Sequence, residues 1–233
     1  LVFCDQYDAL FPQGGTAIPF AYVAVENWNQ YQRDRYEQRA TNAEFYMIAH
    51  SAEASLPDSA EWLVFGADPF VHPCLDTLRD KWVCQIGTAY DPRPHIWNDL
   101  RTHFDQVPAV DPGLLSPYRD TVLETAHTLF GRIPSYRGMA VAYNRSLCAL
   151  SSSNVDFVPM RAAEAMAMGC VLLSDDVPAM RLAFGNPAAS YYDGEMHRQD
   201  KGVWIAHSRT AESIATCVEY VRDLEEGERR DLV

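Results

Sequence analysis

Short apolar runs, each closed by a polar or small residue, alternate along this chain with longer mixed segments. The runs occupy 1–4, ending on Asp5; 17–25, ending on Glu26; 45–49, ending on His50-Ser51; 82–86, ending on Gly87-Thr88; 147–150, fading into Ser151-Ser152-Ser153; and 170–173, ending on Ser174-Asp175-Asp176. Apolar character that is continuous over such short runs, rather than strictly alternating, predicts strands covered on both faces, as in a parallel sheet. The segments between them predict helices over 30–42, 94–104, 136–146, 159–168 and 211–224, with a further short strand at 107–110. Pro159 suits a first helical turn and Gly169 a helix stop. In the last helix Ile214, Val218 and Val221 form one stripe, which predicts packing on an apolar surface. The βαβα order makes the fold class α/β.

Gly66, Pro69 and Pro73 mark the best boundary. The chain then divides into 1–65, a linker at 66–80, and a fuller α/β domain over 81–233. Its start at Leu1, inside an apolar run, reads as the interior of a longer protein.

Composition narrows the class. Hydrophobic residues make up 48% and charged residues 22%, a globular mix that excludes a disordered or collagenous chain. No apolar run approaches the about 20 residues that a bilayer requires. The net charge of −13 disfavours partners bound through a phosphate backbone, so no nucleic acid is expected. The six cysteines are scattered and mostly lie in apolar runs, which reads as core thiols in a reducing, cytoplasmic compartment. The triplet Asn144-Arg145-Ser146 matches a glycosylation sequon, a pattern that also arises by chance.

In open α/β sheets ligands bind beyond the carboxyl ends of the strands. The small, hydroxylated ends Gly87-Thr88, Ser151–Ser153 and Ser174-Asp175-Asp176 suit a phosphate or a sugar. The chain lacks G-x-G-x-x-G and G-x-x-x-x-G-K-[ST], the usual phosphate loops, and H-E-x-x-H and G-x-S-x-G, two common hydrolase motifs. No two aspartates are separated by a single residue, so no D-x-D holds a metal against a diphosphate, and no metal site is expected.

The most informative stretch is 156–176, D-F-V-P-M-R-A-A-E-A-M-A-M-G-C-V-L-L-S-D-D. Arg161 and Glu164 are three apart and share a helix face. A helix N-terminus attracts anions, and Arg161 adds a guanidinium to the same place. Glu164 lies among alanines and methionines, where a charged acid needs a partner. A ribose diol is one such partner; an exposed Arg161–Glu164 pair is the other reading, and it would contribute little.

This string resembles the donor-site signature of GT-B glycosyltransferases of group 1 (family 4-like), closest to the spore-maturation-protein-like members. There an acidic residue is followed, after seven others, by the Glu of an E-A-M-A-x-G helix and a buried strand; Asp156 and Glu164 keep that spacing, with Asp in place of the usual first Glu. Residues 62–69 (W-L-V-F-G-A-D-P) resemble the family's W-L-P-x-A-x-D-P linker, and 82–93 (W-V-C-Q-I-G-T-A-Y-D-P-R) its first C-domain strand. The likeness covers most of 15–185.

The resemblance implies two Rossmann-like lobes, the N-terminal, acceptor-side one incomplete in this chain and the C-terminal one holding the donor. It implies a hexosyltransferase-type enzyme that needs no metal or other cofactor, takes a nucleotide-diphosphate sugar, and transfers to a glycan, lipid or protein acceptor. Glu164 would bind the donor ribose and Asp156 would lie near the transferred sugar. Arg161 and Arg93 would balance the diphosphate, and Gly87 and Thr88 would let the backbone approach it. The catalytic group is expected from the N-terminal lobe; Glu26 and His50, at strand ends, are its local candidates. This stretch alone is expected to be inactive. Two other readings stay open: a degenerate GT-B half that binds without turnover, and a sugar-nucleotide epimerase-type enzyme on the same fold. Glu164→Gln is expected to spare folding, on the premise that the site is open in the free protein.

Overall fold

The computed structural model describes residues 2–4, 21–24, 45–48, 61–62, 64, 66–88, 93–105, 120–124, 131–132, 136–152, 158–192, 194–199 and 201–232. The expected helix at 30–42 and strand at 107–110 lie outside the described residues. The chain forms two compact units. The first comprises residues 1–65 with 155–159 and 177–183; the second comprises the rest.

In the first unit β1 (Val2–Cys4), β2 (Ala21–Ala24), β3 (Phe45–Ile48) and β4 (Glu61–Trp62) form a parallel sheet in chain order. The first three are the apolar runs read from the sequence. The short β4 was not expected.

The second unit holds β5 (Lys81–Thr88), α1 (Arg93–Asp105), β6 (Asp120–Glu124), β7 (Gly131–Arg132), α2 (Tyr136–Arg145), β8 (Ser146–Ser151), α3 (Met160–Ala167) and β9 (Val171–Asp175). After α4 (Pro178–Phe184), most of which groups with the first unit, come β10 (Ala189–Tyr192), β11 (Glu195–Arg198), β12 (Trp204–His207), α5 (Ala211–Asp223) and α6 (Glu226–Arg230). The sheet order is β11-β10-β12-β9-β8-β5-β6-β7. The central pairings from β10 to β5 are parallel, and β11, β6 and β7 are joined by antiparallel pairing.

Helices cover both faces, as the unbroken apolar strands require. Val83, Leu150, Leu173 and Ile205 point to one face, against Trp97 and Leu100 of α1 and the stripe Ile214, Val218 and Val221 of α5. Each fully buried side chain of this kind contributes about 1.5–3 kcal/mol. The next residues along the strands, Cys84, Ile86 and Ala149, point the other way, against Met139 and Tyr143 of α2 and Ala165 and Met168 near α3. The result is a mixed, mostly parallel, Rossmann-like sheet between two helical layers. Among the described residues no helix is long and apolar enough to cross a membrane.

Gly169 stops α3 as its sequence suggests. It sits at φ 79°, its N–H donates to Met166 O at 2.9 Å, and Cys170 N–H donates to Ala165 O at 3.1 Å, a Schellman closure. Thr210 caps α5, its Oγ1 accepting from Ser213 N at 3.2 Å.

Residues 66–80, read from the sequence as a linker, group with the second unit and are fastened to it. Arg79 Nη1 donates to Tyr143 O at 3.1 Å and Ser146 O at 2.6 Å, and its Nη2 donates to Met168 O at 2.9 Å. Asn144 Oδ1 accepts from Leu75 N at 2.6 Å, and Nδ2 donates to Pro73 O and Ala140 O, both at 2.9 Å. Asn144 is therefore buried and bonded, which removes the sequon as a glycan site.

Candidate functional site

The carboxyl ends of β5, β8, β9 and β12 lie along one edge of the sheet. From β5 the chain runs through α1 to β6 on one flank, and it later returns as β8 on the other. Strand order therefore diverges at the β5–β8 pair, the position where open α/β sheets leave a crevice. Gly87 and Thr88 are the last two residues of β5, registered against Thr121 and Asp120 of β6. Cys84 is registered with Ala149, so by extension Gly87 is level with Ser152.

Arg93 opens α1 and reaches across this crevice: its Nη2 donates to Ser152 O at 2.5 Å. The structure thus brings together Arg93, the end of β5 and the serine end of β8. Arg161 is the second residue of α3, half-buried in the helix that follows β8. Asp156, Glu26 and His50 lie outside the described residues.

Glu164, one turn into α3, is only 3% exposed. Its Oε1 is 3.4 Å from His72 Nε2, and His72 Nδ1 is 3.1 Å from Asp68 O. Such burial is incompatible with an exposed-face pair, and with a carboxylate open to solvent. Burial above all pushes the Tyr143 phenol well above its ordinary range; Arg161 pulls it down and Glu164 pushes it up. Glu164 of α3 and His72 of the 66–80 segment are thus in contact, and Tyr143 of α2 feels the charges of Glu164 and Arg161. His72 was not singled out in the sequence. Its only signal is its place just after the Gly66-Ala67-Asp68-Pro69 turn.

A second polar cluster closes the edge at β9 and β12. His207 is registered opposite Asp175. Arg209 Nε lies 3.1 Å from Asp175 Oδ1, and His207 Nδ1 lies 4.0 Å from the same oxygen. His207 Nδ1 is 2.8 Å from Ser208 O, so that nitrogen carries the proton and Nε2 is left with a lone pair. Burial lowers the imidazole's pKa below its ordinary value, against the opposing pull of Asp175, and favours this neutral form. No spacing along the chain reveals this cluster, since Asp175 and His207 come from different strands.

Comparison with protein-family models gives no match, and comparison with curated proteins gives none either. The site is thus read from its own chemistry: a strand-end crevice with small residues, Arg93 bonded to the end of β8, Arg161 in the first turn of α3, and buried acceptors at Asp175 and His207.

Proposed function

We propose that this chain carries the donor half of a GT-B-type glycosyltransferase, built of two Rossmann-like lobes, that moves a sugar from a nucleotide-diphosphate sugar to an acceptor without a metal. The observation that carries the reading is the strand-end crevice at β5–β8, where Arg93 lies on Ser152, with the R-A-A-E-A-M-A-M-G helix and its buried strand next in chain order. On this reading the diphosphate lies against the backbone of Gly87-Thr88 with Arg93 and Arg161 offsetting its charge, and the helix N-terminus and guanidiniums stabilise the leaving nucleoside diphosphate. Glu164 accepts the ribose hydroxyls in exchange for its contact with His72. Asp156 lies toward the sugar, and the group that acts on the acceptor is Glu26, His50 or a residue of the fuller N-terminal lobe.

The experiment is a thermal-shift and calorimetric screen of the complete protein against UDP-, GDP-, TDP- and ADP-linked sugars. A ligand that binds only the native state raises its stability by RT ln(1 + [L]/Kd). No shift with any of them would refute the reading.

The burial of Glu164 against His72 favours a second reading, a GT-B-like binding module in which Glu164 is a structural partner and not a ribose ligand. Glu164→Gln separates the two. Donor affinity falls at least about tenfold, or about 1.4 kcal/mol, if the ribose is bound there. It stays unchanged, with a lower melting temperature, if the acid only holds His72.

A further inference from the structure

The carboxyl edge carries a row of polar side chains that the donor contacts above do not use. Ser151 is registered with Ser174, and His207 with Asp175, so Ser152, Asp175 and His207 fall in one line across β8, β9 and β12. Alternation along each strand puts them on the face of Leu150, Leu173 and Ile205, the layer of α1 and α5. The row spans two strand spacings, about 10 Å.

Ser152 is 8% exposed and His207 4%. Among the described residues neither Ser152 Oγ nor His207 Nε2 has a hydrogen-bond partner. Buried polar atoms are bonded in the great majority of cases, and each exception calls for a cause. The cause here has a definite polarity. His207 Nε2 is an acceptor, because Nδ1 holds the proton for Ser208 O. Asp175 is an acceptor whose charge Arg209 offsets at 3.1 Å. Ser152 Oγ both accepts and donates.

The order of the row excludes a nucleophilic relay. In such a relay the imidazole stands between the hydroxyl and the carboxylate. Here the carboxylate stands between them, and the imidazole proton faces a main-chain carbonyl.

We infer that the Ser152–Asp175–His207 row is a subsite for the hydroxyl groups of an uncharged sugar, and that it discriminates against a sugar bearing a carboxylate. A neutral hexose brings several O–H donors to a line of acceptors. A uronate brings a second negative charge to Asp175 and an acceptor where a donor is needed. The inference rests on the donor-binding reading and deepens it, because it assigns the sugar rather than the nucleotide.

The test is calorimetric titration of the complete protein with UDP, UDP-glucose and UDP-glucuronate, and with GDP and GDP-mannose. Wild type is compared with His207→Asn and Ser152→Ala. An Asn amide can still donate to Ser208 O while it removes the Nε2 acceptor, so the fold contact survives. The expected result is tighter binding of the neutral sugar than of the bare diphosphate, weaker binding of the glucuronate, and a loss of about three- to tenfold of the sugar increment in each variant, the value of one neutral hydrogen bond. Melting temperatures should be nearly unchanged. If the diphosphates bind as tightly as their sugars, or the variants keep the increment, the subsite is overturned and the donor reading stands. If neither diphosphates nor sugars bind, both fall together.

Discussion

Replacing Arg79 with Ala should destabilise the second unit more than any change on its surface. The guanidinium donates to three main-chain carbonyls, those of Tyr143, Ser146 and Met168, all on residues buried from solvent. A hydrogen bond to a charged group contributes about 1.5–3 kcal/mol, and an abandoned buried acceptor costs about 1–3 kcal/mol. The three bonds share one side chain and the carbonyls relax in part, so the expected loss is about 3–5 kcal/mol rather than their sum. For a domain of this size that corresponds to about 6–20 °C in melting temperature. Urea unfolding of the complete chain should show a lower midpoint at an unchanged slope. Arg79→Lys should recover only part of the loss, since one ammonium nitrogen cannot occupy the places of both Nη1 and Nη2. Gly169 supplies the internal check. A Cβ there would lie 2.3 Å from Arg79 Nη2 and 2.9 Å from Cys74 Sγ. Gly169→Ala therefore strains a left-handed residue, about 1–2 kcal/mol, and also displaces the guanidinium. In the Arg79→Ala background the backbone strain and the Cys74 contact should remain but the displaced guanidinium should not, a coupling of at least about 1 kcal/mol. A loss below about 1 kcal/mol for Arg79→Ala, or additive behaviour in the cycle, would refute the argument.

His72→Ala should lower stability by about 3 kcal/mol by leaving Glu164 buried without its imidazole, read as a fall in the urea midpoint. Glu164→Gln should cost less because the amide is neutral; both therefore move the melting temperature, and donor affinity is the reading that counts. Gly202→Ala should cost about 1–3 kcal/mol or more, because a Cβ would meet Ala188 N at 2.3 Å and Asn186 O at 2.6 Å, backbone atoms that cannot step aside. His207 has a pKa lowered on folding from 6.5, so the unfolded chain takes up its proton first. Its contribution should be constant above pH 6.5 and stability should fall as pH drops from there through the folded pKa. His207→Asn should flatten that part of the stability profile. If the glycosyltransferase proposal holds, transfer by the complete protein persists in EDTA, since the sequence offers no D-x-D.

β5, β8 and β9 were legible because burial on both faces leaves a largely apolar run, broken in β5 by the buried Gln85; β12 was not, although it is inner and buried, because it offers only Trp204-Ile205-Ala206 before His207. The edge strand β11 and its neighbour β10 were not legible either, because several of their positions are partly exposed. β10 and β11 read as A-S-Y-Y and E-M-H-R, without an apolar run. A usable signal was nevertheless present in the sequence, the dipeptide Asp193-Gly194, a strong hairpin cue; Tyr192 pairs with Glu195, and Gly194 sits at φ 80°. Likewise Pro178 opens α4 as a first-turn proline. Arg93 and the ends of β5 and β8 could be nominated from strand ends alone. His72 and His207 could not, because their partners, Glu164 and Asp175, are supplied by distant segments and only the fold makes them neighbours.

The Arg79 fastening also sets an order of events during synthesis. Its acceptors lie 64, 67 and 89 residues further along the chain. At about 5–20 residues per second, the last of them is made roughly 4–18 s after Arg79 itself. Until residues 143–146 are made the segment 66–80 has no partners there, and the last of its fastenings, Met168 O, comes later still. The second unit is therefore completed by its own beginning: the segment synthesised first is fully fastened only once α3 and its glycine stop have formed, and a nascent chain that pauses short of Met168 lacks the last of the three Arg79 bonds.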